Sequence, residues 1–210
     1  MPLPYTMVAA KRGMADALFL NLWFPSFAEA EMMPRALSLL RQFPASTARP
    51  GISYLAVHPV SWSEPTVIER RFRPGLDPEP AIAIATEFLH SDYAYVFESC
   101  WDLWAPGLDD LEWVLAPREV KFIVHGSEFD DHAYQQAGHV QVDFGLDTPF
   151  LFEERKLTPA TETRVKANVQ RLIAFTSAVE KNCGISGRVL WSESEGNLAK
   201  KLIERLQRVQ

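Results

Sequence analysis

The chain has 210 residues, of which 47% are hydrophobic and 23% charged, and its formal net charge at pH 7 is −6. The composition is that of an ordinary globular protein, and the chain is long enough to form a hydrophobic core. The negative net charge disfavours nucleic acid as a partner. Two cysteines are too few for a disulfide framework. The longest apolar run, at residues 17–24, is far shorter than the ~20 residues of a membrane-spanning helix. We therefore expect a cytoplasmic protein with no membrane partner.

The first half of the chain predicts four strands and two helices. The near-continuous apolar run at 17–24 is typical of a strand buried on both faces. Further strands are expected at 52–60, 66–72 and 93–101. One helix follows the first strand, and a second begins after Asp77, a suitable N-cap with Pro78 at the first helical position. The order βαββαβ is that of a ferredoxin-like unit, which we assign to residues 1–105.

The second half begins after the turn-forming segment "APGLDD", which we interpret as a unit boundary. Short strands are expected around Trp113, at 119–125 and at 139–145, and a further one near Phe150. A long helix capped by Thr158, a strand at 187–191 and a last helix from about residue 195 complete the chain. We therefore predict an α+β protein with a mostly antiparallel sheet. In it a β-β-(β)-α-β-α unit at residues 106–210 packs on the first unit and shares its core.

The segments 119–125 and 139–144 predict two paired antiparallel strands. Their apolar residues alternate with polar ones, so Val124 is expected opposite Val140, and a slip of one residue would set apolar side chains against polar ones. The same register sets three further pairs on the polar face: Lys121 with Asp143, Ile123 with Gln141, and His125 with His139.

The facing His125–His139 pair is a candidate metal site. Opposite strand positions have Cβ atoms about 4.5–5.5 Å apart, which lets two imidazoles share an ion. A carboxylate from the intervening loop, Asp130 or Asp131, would complete a His/His/Asp set with an open position for water. The alternative is a solvated hairpin with an acidic loop, because the spacing matches no established ligand motif.

The segment "YAYVFESCWDLW", residues 93–104, is the second unusual stretch. Its large aromatics fall on one face of the strand, and such clusters often line ligand pockets or interfaces. The alternative is ordinary core beneath a helix. The candidate ligand-binding residues are Tyr95, Phe97, Glu98, Trp101, Trp104 and Trp113. Because a carboxylate within a buried strand needs a partner, Glu98 is expected to pair with Arg70 or Arg71.

Three functions remain open, since the sequence holds no GxGxxG, P-loop, GxSxG or HExxH motif. The first is a binding or interaction protein without a cofactor, whose partner is a small apolar ligand, a basic protein or a second copy of the chain. The second is a metal-dependent enzyme using His125, His139 and Asp131. The third is a small oxidoreductase or isomerase with Glu98 or His58 as its base.

Overall fold

The computed structural model describes residues 16–107, 112–151, 158–192 and 198–207. The strands in these ranges are β1 (Ala17–Trp23), β2 (Ile52–Pro59), β3 (Ile68–Leu76), β4 (Tyr93–Pro106), β5 (Trp113–His125), β6 (Val140–Leu146) and β7 (Gly187–Ser192). The helices are α1 (Glu29–Leu40), α2 (Pro78–Thr86), α3 (Tyr134–Ala137), α4 (Thr148–Leu151), α5 (Pro159–Asn182) and α6 (Leu198–Gln207). No described helix is long and apolar enough to cross a membrane.

The strands form one seven-stranded sheet in the order β3-β2-β4-β5-β6-β1-β7, and all neighbours are antiparallel. The predicted α+β class and antiparallel sheet are therefore confirmed. The ferredoxin-like prediction is wrong, because a ferredoxin-like unit pairs its four strands with one another. Here β1 pairs with β6 and β7, at the opposite side of the sheet from β2 and β3. The order of elements along the chain does not fix which strands pair.

The predicted boundary at 105–110 follows directly on the longest strand pair of the sheet. β4 and β5 pair from Ala94–His125 to Pro106–Trp113, so the two strands expected around Trp113 and at 119–125 are one strand. Residues 108–110 of the boundary lie outside the described residues. Both halves contribute strands to the sheet and side chains to one hydrophobic cluster, whereas the division into units 1–105 and 106–210 stays a prediction. The strand expected near Phe150 is wrong, since Phe150 lies fully buried in the short helix α4.

One face of the sheet is covered by helices and forms the core. The long helix α5 begins as expected, with the Thr158 hydroxyl accepting a hydrogen bond from the Thr161 amide. One side of the helix is buried against the sheet: Val165, Val169, Leu172, Thr176 and Val179. From the strands, Leu20, Phe122 and Val142 project into the same cluster. The free thiols of Cys100 and Cys183 are both buried.

The other face of the sheet carries a row of polar side chains. Residues that are direct partners in neighbouring antiparallel strands project to the same side of the sheet. The row runs Arg71, Tyr54, Glu98, Lys121 and Asp143 from β3 to β6. The segment 126–138, which includes α3, crosses part of this face: Asn21 and Trp23 donate side-chain hydrogen bonds to its backbone carbonyls. We call this side of the sheet the open face.

Candidate functional site on the open face

The aromatic residues predicted to bind a ligand lie in or against the core. Tyr95, Phe97 and Trp101 are fully buried on the helix-covered face, and Trp113 is 3% exposed. Trp101 stacks on Phe144 with ring centroids 5.2 Å apart. The surroundings of these residues match the core alternative, and none of them lines the two clefts described below.

Trp104 also packs against the core while remaining partly exposed. The guanidinium carbon of Arg164, on α5, lies 4.8 Å from the centre of its ring. Of the six residues predicted to bind a ligand, only Glu98 lines either of these clefts. Its position in β4 has the opposite parity from Tyr95, Phe97 and Trp101, so it lies on the other face of the sheet.

Glu98 is buried in the middle of the open face and pairs with a lysine. The residue is 7% exposed, and its Oε1 lies 3.7 Å from Nζ of Lys121, its register partner on β5. The expected ion pair with Arg70 or Arg71 is therefore wrong. Burial, reinforced by the neighbouring Glu119, raises the pKa of the Glu98 carboxyl despite Lys121.

The ammonium group of Lys121 does not pair with Asp143, although the two residues face each other across the strands. Lys121 and Asp143 are register partners as expected, but Nζ approaches Glu98 and Glu119. The Asp143 carboxylate instead accepts a hydrogen bond from the amide of Gly145 at 2.8 Å. Lys121 is therefore held on the β4 side, where it faces two carboxylates.

A cleft of about 490 Å³ lies between the open face and the segment 126–138. We call it the central cleft. Four apolar side chains contribute to its lining: Val96, Ile123, Ala133 and Ala137. Its polar side chains come from β2, β4, β5 and β6: Tyr54, His58, Glu98, Lys121, His125, Gln141 and Asp143. An apolar lining with a few converging polar groups is the usual composition of a small-molecule site.

Four titratable groups in the central cleft have shifted pKa values. Burial lowers the pKa of the imidazoles of His58 and His125 and raises the pKa of the Tyr54 hydroxyl and of the Glu98 carboxyl. At neutral pH the two histidines are therefore uncharged and act as hydrogen-bonding groups. Several shifted groups in one cleft are typical of functional sites.

Trp62 forms one wall of the central cleft and was not predicted as a site residue. It lies in the polar turn "SWSEP" between β2 and β3, where a side chain of its size is unusual. The residue is 42% exposed, and its ring packs edge-on against His58 at 4.9 Å and Phe129 at 5.0 Å, measured between ring centroids. The sequence did contain a signal for this site residue, namely a single tryptophan within an otherwise polar turn.

The segment 126–138 is held close to the sheet and to the Trp62 turn. Gly126 permits this, because a Cβ at that position would lie 2.2 Å from the carbonyl oxygen of Ser91. The amide of Asp130 donates a hydrogen bond to the carbonyl of Val60 at 2.8 Å. Val60 has a φ of 60°, and φ is also positive at each of the residues Asp130, Asp131 and His132. Backbone strain of this kind concentrates at functional sites.

Backbone pairing brings His125 and His139 together, but their rings make separate contacts. The amide of His125 donates to the carbonyl of His139, and Nδ1 of His125 lies 2.9 Å from the carbonyl of Gly138. Because a carbonyl only accepts, Nδ1 of His125 carries the proton. The Nδ1 of His139 accepts a hydrogen bond from the amide of Phe24, so in the neutral ring the proton is on Nε2.

This hydrogen bonding disfavours His139 as a metal ligand. Binding an ion through Nε2 would require a proton on Nδ1, which would break the bond from the Phe24 amide. Within the described ranges no group of three His, Cys, Asp or Glu side chains could hold an ion. The metal role of His125, His139 and Asp131 stays a prediction, and this geometry gives it no support.

Comparison with known proteins does not identify a family for this chain. No family model, curated protein or solved structure matches it. The candidate functional site is the central cleft, with Glu98 and Lys121 at one end and Trp62 at the other.

Proposed function

We propose that the protein binds a small molecule in the central cleft. The supporting observation is the convergence of four pKa-shifted side chains on a partly apolar cleft of about 490 Å³. Sites for drug-sized ligands typically have volumes of ~300–1,000 Å³. The site thus differs from the aromatic strand suggested by the sequence, although the class of function is the same.

An apolar body of the ligand would lie over Val96 and Ile123. These residues are register partners on the two central strands, so together they form a continuous apolar patch. Trp62 would close one end of this patch with its exposed ring. Aromatic rings supply much contact area at a small cost in conformational entropy, which makes them effective walls for a flat or elongated ligand.

The polar end of the ligand would meet Glu98 and Lys121. A bound ligand would displace water from both groups, which is unfavourable unless the ligand forms hydrogen bonds with them. Ligands with such polar groups are therefore favoured. Lys121 would donate a hydrogen bond from its ammonium group. A ligand with an acceptor oxygen at its polar end fits this lysine.

Binding of a neutral elongated probe, biphenyl-4-acetamide, tests the proposal. Titration followed by tryptophan fluorescence and by amide chemical shifts is expected to show saturation, with the largest shifts at residues lining the cleft. Replacement Ile123→Trp fills the apolar patch and is expected to weaken binding at least ~10-fold, the equivalent of ~1.4 kcal/mol.

The matched control is Val189→Trp. Val189 lies on the same open face, in the same cross-strand row as Ile123, and is 49% exposed on β7. The proposal is wrong if the probe fails to saturate the native protein, or if the two tryptophan variants bind it equally well. Thermal unfolding of both variants establishes that each is folded.

A further inference from the structure

A second cleft adjoins the central cleft at Glu98 and is rich in arginine. Its volume is about 470 Å³, and Glu98 lines both clefts. Arg49, from the loop before β2, and Arg71 and Arg73, from β3, contribute to its lining. We call it the arginine cleft.

The arginine cleft has an excess of positive charge. Its two lining carboxylates, Glu98 and Glu119, both lie within 4 Å of Lys121, at 3.7 and 3.9 Å. Among the parts of the chain that the structure describes, no carboxylate forms an ion pair with any of the three arginines. In a chain with a net charge of −6, three guanidinium groups that line one cleft without forming such an ion pair favour an anion.

Arg71 is placed where the two clefts meet. Its guanidinium carbon lies 4.8 Å from the centre of the Tyr54 ring, and Tyr54 lines the central cleft. A guanidinium stacked on an aromatic ring keeps the N–H groups at its edge available for hydrogen bonds. Such a fork can bind both oxygens of a carboxylate.

The wall that carries Arg49 is fixed by a close approach of two backbones. A Cβ at Gly75 would lie 2.3 Å from the carbonyl oxygen of Pro50, so only glycine allows the loop to pack on β3 at this point. The contact brings the loop with Arg49 against the strand with Arg73. The guanidinium groups are therefore carried by backbone segments held in contact.

We propose that the ligand is an elongated apolar carboxylate, whose acid group binds in the arginine cleft and whose body lies in the central cleft. This inference rests on the proposed function and adds the charge of the ligand. From Tyr54 to His58 the strand rises about 13 Å, which sets the length of ligand that spans from Arg71 to the Trp62 end. A singly charged carboxylate fits better than a doubly charged phosphate, because Glu98 and Glu119 also line the cleft.

The test compares biphenyl-4-acetate with its neutral amide in the native protein. The pair has the same body and differs in the charge of one group. We expect the acid to bind at least ~10-fold more tightly, since hydrogen bonds to a charged group contribute ~1.5–3 kcal/mol. In the variant Arg71→Gln/Arg73→Gln the acid should bind no more tightly than the amide.

Arg70→Gln is the matched control, because Arg70 is on the same strand and exposed but does not line the cleft. It removes one positive charge from the same strand outside the cleft and should keep the preference for the acid. The inference is overturned if the native protein binds acid and amide equally, if the double variant keeps the preference, or if biphenyl-4-yl phosphate binds more tightly than the acid. Failure of both probes to bind would instead contradict the proposed function.

Discussion

Lys121 Nζ lies 3.7 Å from Oε1 of Glu98, its direct partner across β4 and β5, and the pair occupies the centre of the open face. Glu98 is almost fully buried, whereas the side chain of Lys121 is 43% exposed. The pKa of Glu98 is raised, so the attraction of Lys121 does not offset the loss of hydration that burial causes. The carboxylate is therefore a cost to the folded state at neutral pH.

Replacement Glu98→Gln is expected to stabilise the protein at pH 7. A carboxyl group whose pKa is raised on folding holds its proton more tightly in the native state, so its contribution to stability is lost as pH rises above its ordinary value of 4.5. Glutamine keeps the shape without the charge and should raise the free energy of unfolding by about 1 kcal/mol. Urea unfolding at pH 7 and below pH 4 measures the difference, which should vanish at the lower pH.

The control for this prediction is Lys121→Gln, which removes the partner and leaves Glu98 buried. It should destabilise the protein at pH 7 and have less effect below pH 4, where the carboxyl is protonated in both states. A Glu98→Gln variant that is less stable than the native protein at pH 7 would contradict the account of Glu98 given above.

Acid is expected to weaken the protein through its buried histidines. Burial lowers the pKa of His58, His125 and His139 below the ordinary value of 6.5. Around that pH the histidines of the unfolded chain become protonated, whereas the buried rings of the native state stay neutral. The free energy of unfolding therefore falls as pH is lowered through 6.5. Denaturant unfolding at a series of pH values between about 7 and 5 measures this slope.

The variant His125→Phe should flatten that slope. It removes one of the three rings and also the donor to the Gly138 carbonyl, so its stability at pH 7 should fall by about 1–3 kcal/mol. Its loss of stability between pH 7 and pH 5 should nevertheless be smaller than that of the native protein. Equal slopes would show that His125 is already accessible to protons in the folded chain.

Asn168 is expected to be a major determinant of how α5 docks on the sheet. Its amide is fully buried, accepts a hydrogen bond from the Trp104 amide at 2.9 Å, and donates to the carbonyls of Trp104 and Pro149 at 2.7 and 2.8 Å. Replacement Asn168→Ala leaves these buried backbone groups without partners and should cost about 3 kcal/mol. Asn182→Ala, which removes an exposed bond to Gln42, should cost less than ~0.5 kcal/mol in the same unfolding experiment.

Replacement of Trp101 by alanine should mainly lower stability, whereas replacement of Trp62 by alanine should mainly weaken ligand binding. Trp101 is fully buried, so Trp101→Ala should cost about 3–5 kcal/mol through lost contacts and a cavity. Trp62 is 42% exposed, and Trp62→Ala should cost less than ~1 kcal/mol, while weakening the binding of biphenyl-4-acetamide. A strongly destabilised Trp62→Ala variant would show that the Trp62 turn is a structural support rather than a wall of the site.

The sequence was informative wherever the determining contacts are local. Alternation of apolar and polar residues predicted the register of β5 and β6, in which Val124 pairs with Val140 and Ile123 with Gln141. The same alternation separated Tyr95 from Glu98 on the two faces of β4. Thr158 and Asp77 stand at the N-caps of α5 and α2, as expected.

The predictions that failed depended on contacts between distant parts of the chain. The partners of β1 lie in β6 and β7, and nothing within residues 17–24 distinguishes them from β2 or β4. The partner of Glu98 was assigned to a neighbouring arginine because the β4–β5 register was unknown. Trp62 was missed because its role depends on Phe129 and His58, which only the folded chain brings to it.

The position of β1 in the sheet determines when this strand can pair during synthesis of the chain. Its partners β6 and β7 are synthesised after β2 to β5, so on the ribosome β1 has no partner strand until β6 has emerged. Long-range pairing of this kind is slow. A nascent chain that ends before β6 therefore lacks both of the strands that pair with Leu18, Leu20 and Leu22.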